Sequence, residues 1–117
     1  MTTKFTVYQK ATCSKCRATL RLLKERGVEF EVVDYYEVRF SEADLRGLLK
    51  KLGTTAWGIL RKDEPVAHRL GIGNKNISEE DLIALMVKHP DLIQRPIVVH
   101  GEHAVLGRPP ENVDKLL

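Results

Sequence analysis

Two cysteines three residues apart, Cys13 and Cys16, are the pair of residues in this chain best suited to chemistry. An alternating apolar run at residues 5–8 precedes them and predicts a strand, and a leucine pattern that stops at Gly27 follows them and predicts a helix. The first turn of a helix has unpaired N–H groups and a partial positive charge, so a Cys13 thiolate is stabilised there relative to the thiol. Since the thiolate is the nucleophile, and Cys16 lies one turn further at a separation that suits a disulfide, the pair predicts thiol redox chemistry.

Two other interpretations of the cysteine pair are small buried apolar residues and one half of a zinc site. The position of the pair at a strand-to-helix junction argues against the first interpretation. No second cysteine or histidine pair of matching spacing is present, so no metal site is predicted. Only two cysteines, in a chain that runs into a strand without a signal-peptide pattern, predict a reducing compartment, the cytoplasm.

The composition predicts a single domain with a hydrophobic core. The chain has 117 residues, of which 43% are hydrophobic and 30% are charged. The net charge of +3 is small, and the lysines and arginines form no dense run, so no nucleic-acid partner is predicted. The longest apolar runs are too short to cross a membrane. A mild positive balance suits a small anionic substrate, and we expect the protein to be a monomer.

Periodicity, capping residues and turn residues predict the order of the strands and helices. The predicted elements are a strand at 4–9, a helix at 14–26, a strand at 30–34, a helix from Ser41 to Gly53, short helices near 54–60 and 65–70, a helix from Ser78 to His89, strands at 97–99 and 104–107, and a last helix from 108 to about 117.

This order predicts the fold class. The first strand, helix and second strand make a βαβ unit, which is parallel and right-handed by strong precedent. The last two strands form a hairpin followed by a helix, and only helices lie between the two halves. With two cysteines at the first strand–helix junction, the order predicts an α/β thioredoxin-like fold, βαβ…ββα, with a four-stranded mixed sheet and a helical insertion at about 41–90. Residues 1–117 are expected to form one such domain.

Two arginines flank the predicted hairpin. Arg95 precedes the third strand and Arg108 follows the fourth, so the hairpin brings the two residues side by side. In a thioredoxin-type sheet the third strand runs antiparallel to the first, which places both arginines near Cys13. Two guanidinium groups and a helix N-terminus make a receptor for a tetrahedral oxyanion. The alternative is that both arginines are exposed residues at strand ends. This reasoning does not place Arg61.

Five motifs of the chain follow a family pattern. They are Tyr8–Leu20, Ile59–Lys62, His89–Pro90, Arg95–Val99 and Leu106–Pro109. Together these motifs resemble the glutaredoxin-linked arsenate reductases of the ArsC type, nearly from end to end of the chain. The resemblance implies that Cys13 attacks arsenate. It implies that three arginines, Arg61, Arg95 and Arg108, bind the arsenate, and it matches Pro96 to a cis proline of the fold.

The reaction implied by the resemblance needs no metal and no tightly bound cofactor. The Cys13 thiolate displaces a hydroxyl group at arsenic to give a thiol–arsenate ester. The arginines neutralise the charge of the oxyanion as arsenic is attacked. Glutathione, the co-substrate in the family, then reduces arsenic and leaves a mixed disulfide, and glutaredoxin regenerates Cys13 by exchange.

Two residues depart from the family pattern. Gln9 stands where well-studied members have a histidine that helps to keep the cysteine ionised, so Lys10, Lys15 and the helix must do this alone. Cys16 stands at a position that is usually serine. A thiol at this position can resolve a Cys13 adduct as an intramolecular disulfide, in which case thioredoxin is the reductant.

Two alternative functions remain open at this point. The first is a general thiol–disulfide oxidoreductase, in which Cys13 attacks, Cys16 resolves and the three arginines have no role. The second is a regulator of RNA polymerase of the Spx type, which shares the fold and uses a CxxC disulfide as a switch. Spx-type regulators differ at the equivalents of 59–62 and 106–109, which this chain keeps in the arsenate reductase form.

Overall fold

The computed structural model describes residues 4–10, 16–72 and 77–117, with Cys16 described by its backbone alone. The first strand forms at residues 5–9, where buried and partly exposed side chains alternate. Cys13 and the predicted first turn of its helix lie outside the described residues.

The chain divides into two compact units, which we call the sheet unit (Met1–Val38 with Arg95–Leu117) and the helical unit (Arg39–Gln94). The helical unit covers the segment predicted as an insertion, and the organisation of residues 1–117 as one domain stays a prediction.

Within its described residues, the sheet unit contains four strands and one α-helix. Its elements are β1 (Phe5–Gln9), α1 (Cys16–Glu25), β2 (Phe30–Asp34), β3 (Ile97–His100), β4 (His103–Leu106) and a terminal 3-10 helix (Pro110–Leu116). The strand order is β2-β1-β3-β4, with β1 parallel to β2 and antiparallel to β3, and β3 antiparallel to β4. The sheet is therefore mixed, as predicted.

The core of the sheet unit lies between one face of the sheet, α1 and the terminal 3-10 helix. Its buried members are Phe5, Val7, Leu23, Val98, Val113 and Leu116. Each such side chain contributes about 1.5–3 kcal/mol when it is taken fully out of water. The apolar positions of β1 alternate because successive side chains of a strand point to opposite faces.

The terminal helix differs from the prediction of an ordinary α-helix. Pro110–Leu116 is a 3-10 helix, and it packs against α1 and β4. Its buried residues are Val113 and Leu116, three positions apart, which is the spacing that places side chains on one line in a 3-10 helix.

The helical unit follows the predicted capping signals. Its elements are α2 (Glu42–Leu52), a 3-10 helix (Ala56–Ile59), α3 (Pro65–Leu70), α4 (Glu79–Lys88) and a 3-10 helix (Pro90–Leu92). Ser41 forms a capping box with Asp44 at the start of α2, and Gly53 ends that helix with a φ of 71°. Ser78 caps α4 by accepting a hydrogen bond from the backbone N–H of Asp81.

The predicted short helix at 54–60 forms over Ala56–Ile59, and a residue distant in sequence bonds its first N–H group. Thr55 is the N-cap residue of Ala56–Ile59, but its side chain makes no capping hydrogen bond. The carboxylate of Glu79 accepts from the Ala56 N–H instead, at 3.1 and 2.9 Å. Among the described residues, no helix combines the length and the apolar character needed to cross a membrane.

Candidate active site

Strand register brings Arg95 to the carboxyl end of β1. Ile97 pairs with Tyr8 in the antiparallel β1–β3 ladder, so the residues before Ile97 run past the end of β1. The chain leaves that same end through Lys10 toward Cys13. Arg95 therefore lies at the strand end from which the cysteine-bearing segment departs.

The β3–β4 hairpin brings Arg108 beside Arg95. Ile97 pairs with Leu106, and the backbone N–H of Gly107 donates to the carbonyl oxygen of Pro96 at 2.8 Å, which continues the pairing beyond the strands. The dipeptides 95–96 and 107–108 thus run side by side. The Arg95–Pro96 and Arg108–Pro109 peptide bonds are both cis.

A close packing contact joins this hairpin to α1. Thr19 is fully buried, and its hydroxyl donates to the carbonyl oxygen of Gly107 at 2.9 Å. A methyl group at Gly107 would lie 2.8 Å from Cγ of Pro96 and 3.0 Å from Oγ1 of Thr19, so only glycine fits between them. The helix that begins at Cys16 is in this way connected directly to the residue before Arg108.

Asn112 holds the other side of the Arg108 segment. Its side-chain amide donates to the carbonyl oxygen of Leu106 at 3.0 Å and to that of Arg108 at 3.1 Å. These bonds satisfy the carbonyl group of the last residue of β4 and that of Arg108, two residues further along the chain. Sequence reasoning missed Thr19, Gly107 and Asn112. The only signals were a polar residue within the leucine pattern of α1 and a glycine next to the arginine.

An aromatic residue contacts Arg95 directly. Nη1 of Arg95 donates to the hydroxyl oxygen of Tyr36 at 3.2 Å. The ammonium group of Lys10 lies 4.8 Å from the centre of the Tyr36 ring, and the guanidinium carbon of Arg95 lies 6.0 Å from it. Tyr36 follows β2, and nothing in the sequence pattern singled it out.

Gln9 is buried at the end of β1, with 8% of its surface exposed. Its side-chain oxygen is buried and has no hydrogen-bond partner among the described residues. A buried amide group needs partners, since an unsatisfied one costs about 1–3 kcal/mol.

Arg61 belongs to the helical unit and has its own surroundings there. Its backbone N–H donates to the carbonyl oxygen of Leu92 at 2.8 Å. Its Nη2 forms an ion pair with Oε1 of Glu64 at 2.8 Å, and both side chains are mostly buried. Nη1 of Arg61 is also buried and has no hydrogen-bond partner among the described residues.

The two cysteines are placed only in part. Cys16 is the first residue of α1, and Cys13 lies outside the described residues. Across residues 4–10, 16–72 and 77–117, no group of three or more histidine, cysteine or acidic side chains is arranged to hold a metal ion.

Comparison with known proteins decides the family. The sequence model of the ArsC family matches residues 8–116 of the chain. The chain belongs to the ArsC family. It is 47% identical over 114 residues to the Escherichia coli K12 protein YfgD, whose function is uncharacterised, and the match covers 97% of this chain and 96% of YfgD.

Two further ArsC relatives carry a named activity. The chain is 37% identical over 112 residues to the arsenate reductase of Neisseria meningitidis serogroup A, covering 95% of this chain and 96% of that protein. The solved structure of an arsenate reductase from Vibrio cholerae matches with a TM-score of 0.93 at 36% identity, and the match covers 100% of both chains. The resemblance found in the motifs and the thioredoxin-like α/β fold are therefore both confirmed.

Proposed function

We propose that this protein is an arsenate reductase-like thiol oxidoreductase in which the Cys13 thiolate attacks arsenate. Two findings support the proposal, the ArsC family match over residues 8–116 and the arsenate reductases among the similar proteins. The observation that carries it is the hairpin register, which brings Arg95 and Arg108 together at the strand end that leads to Cys13. A general disulfide reductase would have no use for two arginines at that end.

The proposed reaction proceeds in two balanced steps. The Cys13 sulfur forms a bond to arsenic, and one arsenate oxygen leaves as water after protonation. A second thiolate then attacks the Cys13 sulfur, the sulfur–arsenic bond breaks and its electron pair stays on arsenic. Arsenic(V) becomes arsenic(III), and the two thiols become a disulfide. Arginine side chains stabilise the oxyanion throughout, because their planar N–H groups match two oxygens at once.

The role of Arg61 in this proposal is supported by the family motif at 59–62. Its guanidinium group is mostly buried and keeps a buried Nη1 without a hydrogen-bond partner in the described chain. A permanently charged group in such surroundings is costly unless an anion compensates it. Glu64 supplies one carboxylate, and we propose that arsenate supplies further acceptors.

The second thiol and the reductant are open to two proposals. Glutathione is the co-substrate in the first, and glutaredoxin then reduces the mixed disulfide. In the second, Cys16, three residues further along the sequence, attacks Cys13 and thioredoxin reduces the intramolecular disulfide. Neither scheme uses a metal or a tightly bound cofactor, and both suit a monomer in the cytoplasm.

A general thiol–disulfide oxidoreductase is the second candidate function. It is favoured by one observation, the presence of Cys16 where the family pattern has serine. The third candidate, an Spx-type regulator, would be tested by a pull-down with RNA polymerase. Failure to recover the polymerase would remove it.

The deciding measurement is arsenate-dependent NADPH oxidation. The wild-type protein is compared with Cys13→Ser and Cys16→Ser, each coupled to glutathione and glutaredoxin or to thioredoxin and its reductase. We expect turnover that Cys13→Ser abolishes. Survival of glutaredoxin-coupled turnover in Cys16→Ser would make glutathione the second thiol, and loss of thioredoxin-coupled turnover would assign that role to Cys16.

Arginine variants test the substrate in the same assay. Arg95→Ala and Arg108→Ala should each lower kcat/KM for arsenate roughly hundredfold, as loss of one transition-state donor does elsewhere. Arg21→Ala removes an exposed arginine of α1 and should leave the rate unchanged. Absence of turnover with both reductant systems would overturn the proposal.

A further inference from the structure

We infer that Tyr36 is a positioning residue of this site, which orients Arg95 and holds Lys10 beside it. The inference rests on the proposed function, since it assigns Tyr36 a part in oxyanion binding through Arg95. Three observations carry it: the hydroxyl contact to Arg95, the ring contacts to two cations, and the way in which Tyr36 itself is fixed.

The hydroxyl contact has a defined direction. A guanidinium group has only N–H donors, so the hydroxyl oxygen of Tyr36 accepts from Nη1 of Arg95 over 3.2 Å. This bond uses one of the five N–H groups of the arginine. Because the guanidinium group is a rigid planar fork, fixing one N–H direction also fixes the directions of the others. Tyr36 thereby orients the group that we propose binds the oxyanion.

The ring of Tyr36 faces two cations. Lys10 lies 4.8 Å and Arg95 lies 6.0 Å from the ring centre, both within the range of cation–π attraction. The positive charges of Lys10 and Arg95 at one strand end repel each other. The attraction of both cations to the electron-rich ring of Tyr36 offsets part of that repulsion. Lys10 is also the last described residue before the segment that carries Cys13. The Tyr36 side chain thus holds two cations at the strand end where we expect the arsenate and the Cys13 thiolate.

Tyr36 is itself fixed by the ends of two strands. Its backbone N–H donates to Oδ1 of Asp34 at 2.9 Å. Its ring lies 5.1 Å from the ring of Tyr35, a buried residue whose N–H donates to the carbonyl oxygen of Gln9. A side chain anchored in this way can hold a long, flexible arginine in one orientation. One carboxylate oxygen of Asp34 thus accepts a hydrogen bond from the backbone of Tyr36 and stabilises the turn after β2.

The test compares two substitutions at the same residue. Tyr36→Phe removes the hydroxyl and keeps the ring, so it loses the orientation of Arg95 alone. Tyr36→Leu also removes the ring and with it the contact to Lys10. Val38→Ala is the matched control, because Val38 is 65% exposed in the same turn. Thermal unfolding of each variant shows whether it is folded.

We expect Tyr36→Phe to raise the KM for inorganic arsenate roughly tenfold to a hundredfold, as loss of a hydrogen bond to a charged group does. Its kcat should change less than about twofold, since Cys13 is untouched. In an Arg95→Ala background, Tyr36→Phe should have no further effect, because it acts through Arg95. An unchanged KM, or independent effects of the two substitutions, would overturn the inference.

A second readout does not depend on arsenate turnover. Iodoacetate is anionic and iodoacetamide is neutral, so the ratio of their alkylation rates at the reactive cysteine reports the local positive charge. We expect Tyr36→Leu to lower this ratio and Val38→Ala to leave it unchanged. Wild type that turns over no arsenate, with a ratio that still falls in Tyr36→Leu, would overturn the proposed substrate and keep the role of Tyr36. Normal turnover with an unchanged KM and an unchanged ratio would overturn the role of Tyr36 alone.

Discussion

Thr19 donates its hydroxyl to the carbonyl oxygen of Gly107 at 2.9 Å, across 88 residues of sequence and inside the core. The bond connects the helix that starts at Cys16 with the residue that precedes Arg108. An acceptor and a donor that are both buried must satisfy each other, since water does not reach them. The spacing between the cysteine helix and the arginine hairpin therefore depends on this pair.

Thr19→Val is expected to destabilise the protein by about 1–3 kcal/mol, because it keeps the shape of the side chain and leaves the Gly107 carbonyl without its donor. Urea unfolding measures this change, and the KM for arsenate should rise with it. Thr19→Ser is the control, since it keeps the hydroxyl and loses one methyl group. A free energy of unfolding equal to that of wild type in Thr19→Val would contradict the importance of the bond.

Gly107→Ala is expected to destabilise the protein by about 1–3 kcal/mol, because the new methyl group overpacks the site. It would lie 2.8 Å from Pro96 and 3.0 Å from Thr19, and neither a proline ring nor a fully buried threonine can move away easily. The shift should also displace the Arg108 segment and raise the KM for arsenate.

Gly47→Ala is a matched control that is expected to raise the free energy of unfolding, whereas Gly107→Ala should lower it. Gly47 is exposed within α2, and a methyl group there meets nothing within 4 Å. Replacing a glycine inside a helix by alanine stabilises by roughly 0.5–1 kcal/mol. Equal effects of the two substitutions on the urea midpoint would show that Gly107 is not tightly packed.

An exposed ion pair between Arg26 and Asp114 predicts a dependence of stability on pH. The Arg26 side chain donates to Oδ1 of Asp114 at 2.9 Å, and this hydrogen bond, with the charge of Arg26, lowers the pKa of Asp114. A lowered pKa in the folded state means that the stabilisation is present above the unfolded pKa of about 3.9 and is lost as the pH falls through the folded value. Asp114→Asn should therefore lower the urea midpoint at pH 7 and match wild type in strong acid.

High salt should reduce the difference in urea midpoint between wild type and Asp114→Asn, since Arg26 and Asp114 are both exposed and salt screens their attraction. Glu111→Gln removes an exposed carboxylate from the same 3-10 helix, and Glu111 has no ion pair in the described part of the chain. Its midpoint at pH 7 should stay close to that of wild type. A difference between Asp114→Asn and wild type that persists in acid strong enough to protonate Asp114 in the folded state would mean that the ion pair is not its cause.

Local signals explain which parts of the fold were predictable. Ser41, Ser78 and Gly53 cap helices through contacts within four residues, so their patterns are complete in the sequence. The strand 30–34 was predicted by alternation and the hairpin by an apolar run with a tight turn after it, and the hairpin alone sufficed to place Arg95 beside Arg108. The pairing needs no knowledge of distant side chains.

The residues that escaped prediction act over long distances or without a pattern. Thr19 reaches Gly107 across 88 residues, and Glu79 bonds the first N–H group of Ala56–Ile59 from 23 residues away. Tyr36 contacts Arg95 across 59 residues. Such contacts form only once the chain has folded, so the helix and strand propensities and the hydrophobic periodicity of the sequence do not predict them. Arg61 is proposed as a site residue on family resemblance alone, because the preceding helices fix no register for it.

Glu64 offers a direct test of the role proposed for Arg61. Its carboxylate accepts from Nη2 of Arg61 at 2.8 Å, so it both orients the guanidinium group and adds a negative charge that opposes an arriving oxyanion. Glu64→Gln keeps the accepting oxygen and removes the charge. We expect it to lower the KM for arsenate roughly twofold to fivefold, the size of a partly screened charge interaction.

Glu64→Ala separates orientation from charge. It removes the accepting oxygen as well, so Arg61 loses its orientation and the KM should rise above that of Glu64→Gln. A KM that falls in Glu64→Gln and is higher in Glu64→Ala than in Glu64→Gln, measured in the arsenate-dependent NADPH assay, would support Arg61 as one of the groups that bind the substrate. Identical KM values in wild type and both variants would remove Arg61 from the oxyanion site and leave Arg95 and Arg108 as its arginines.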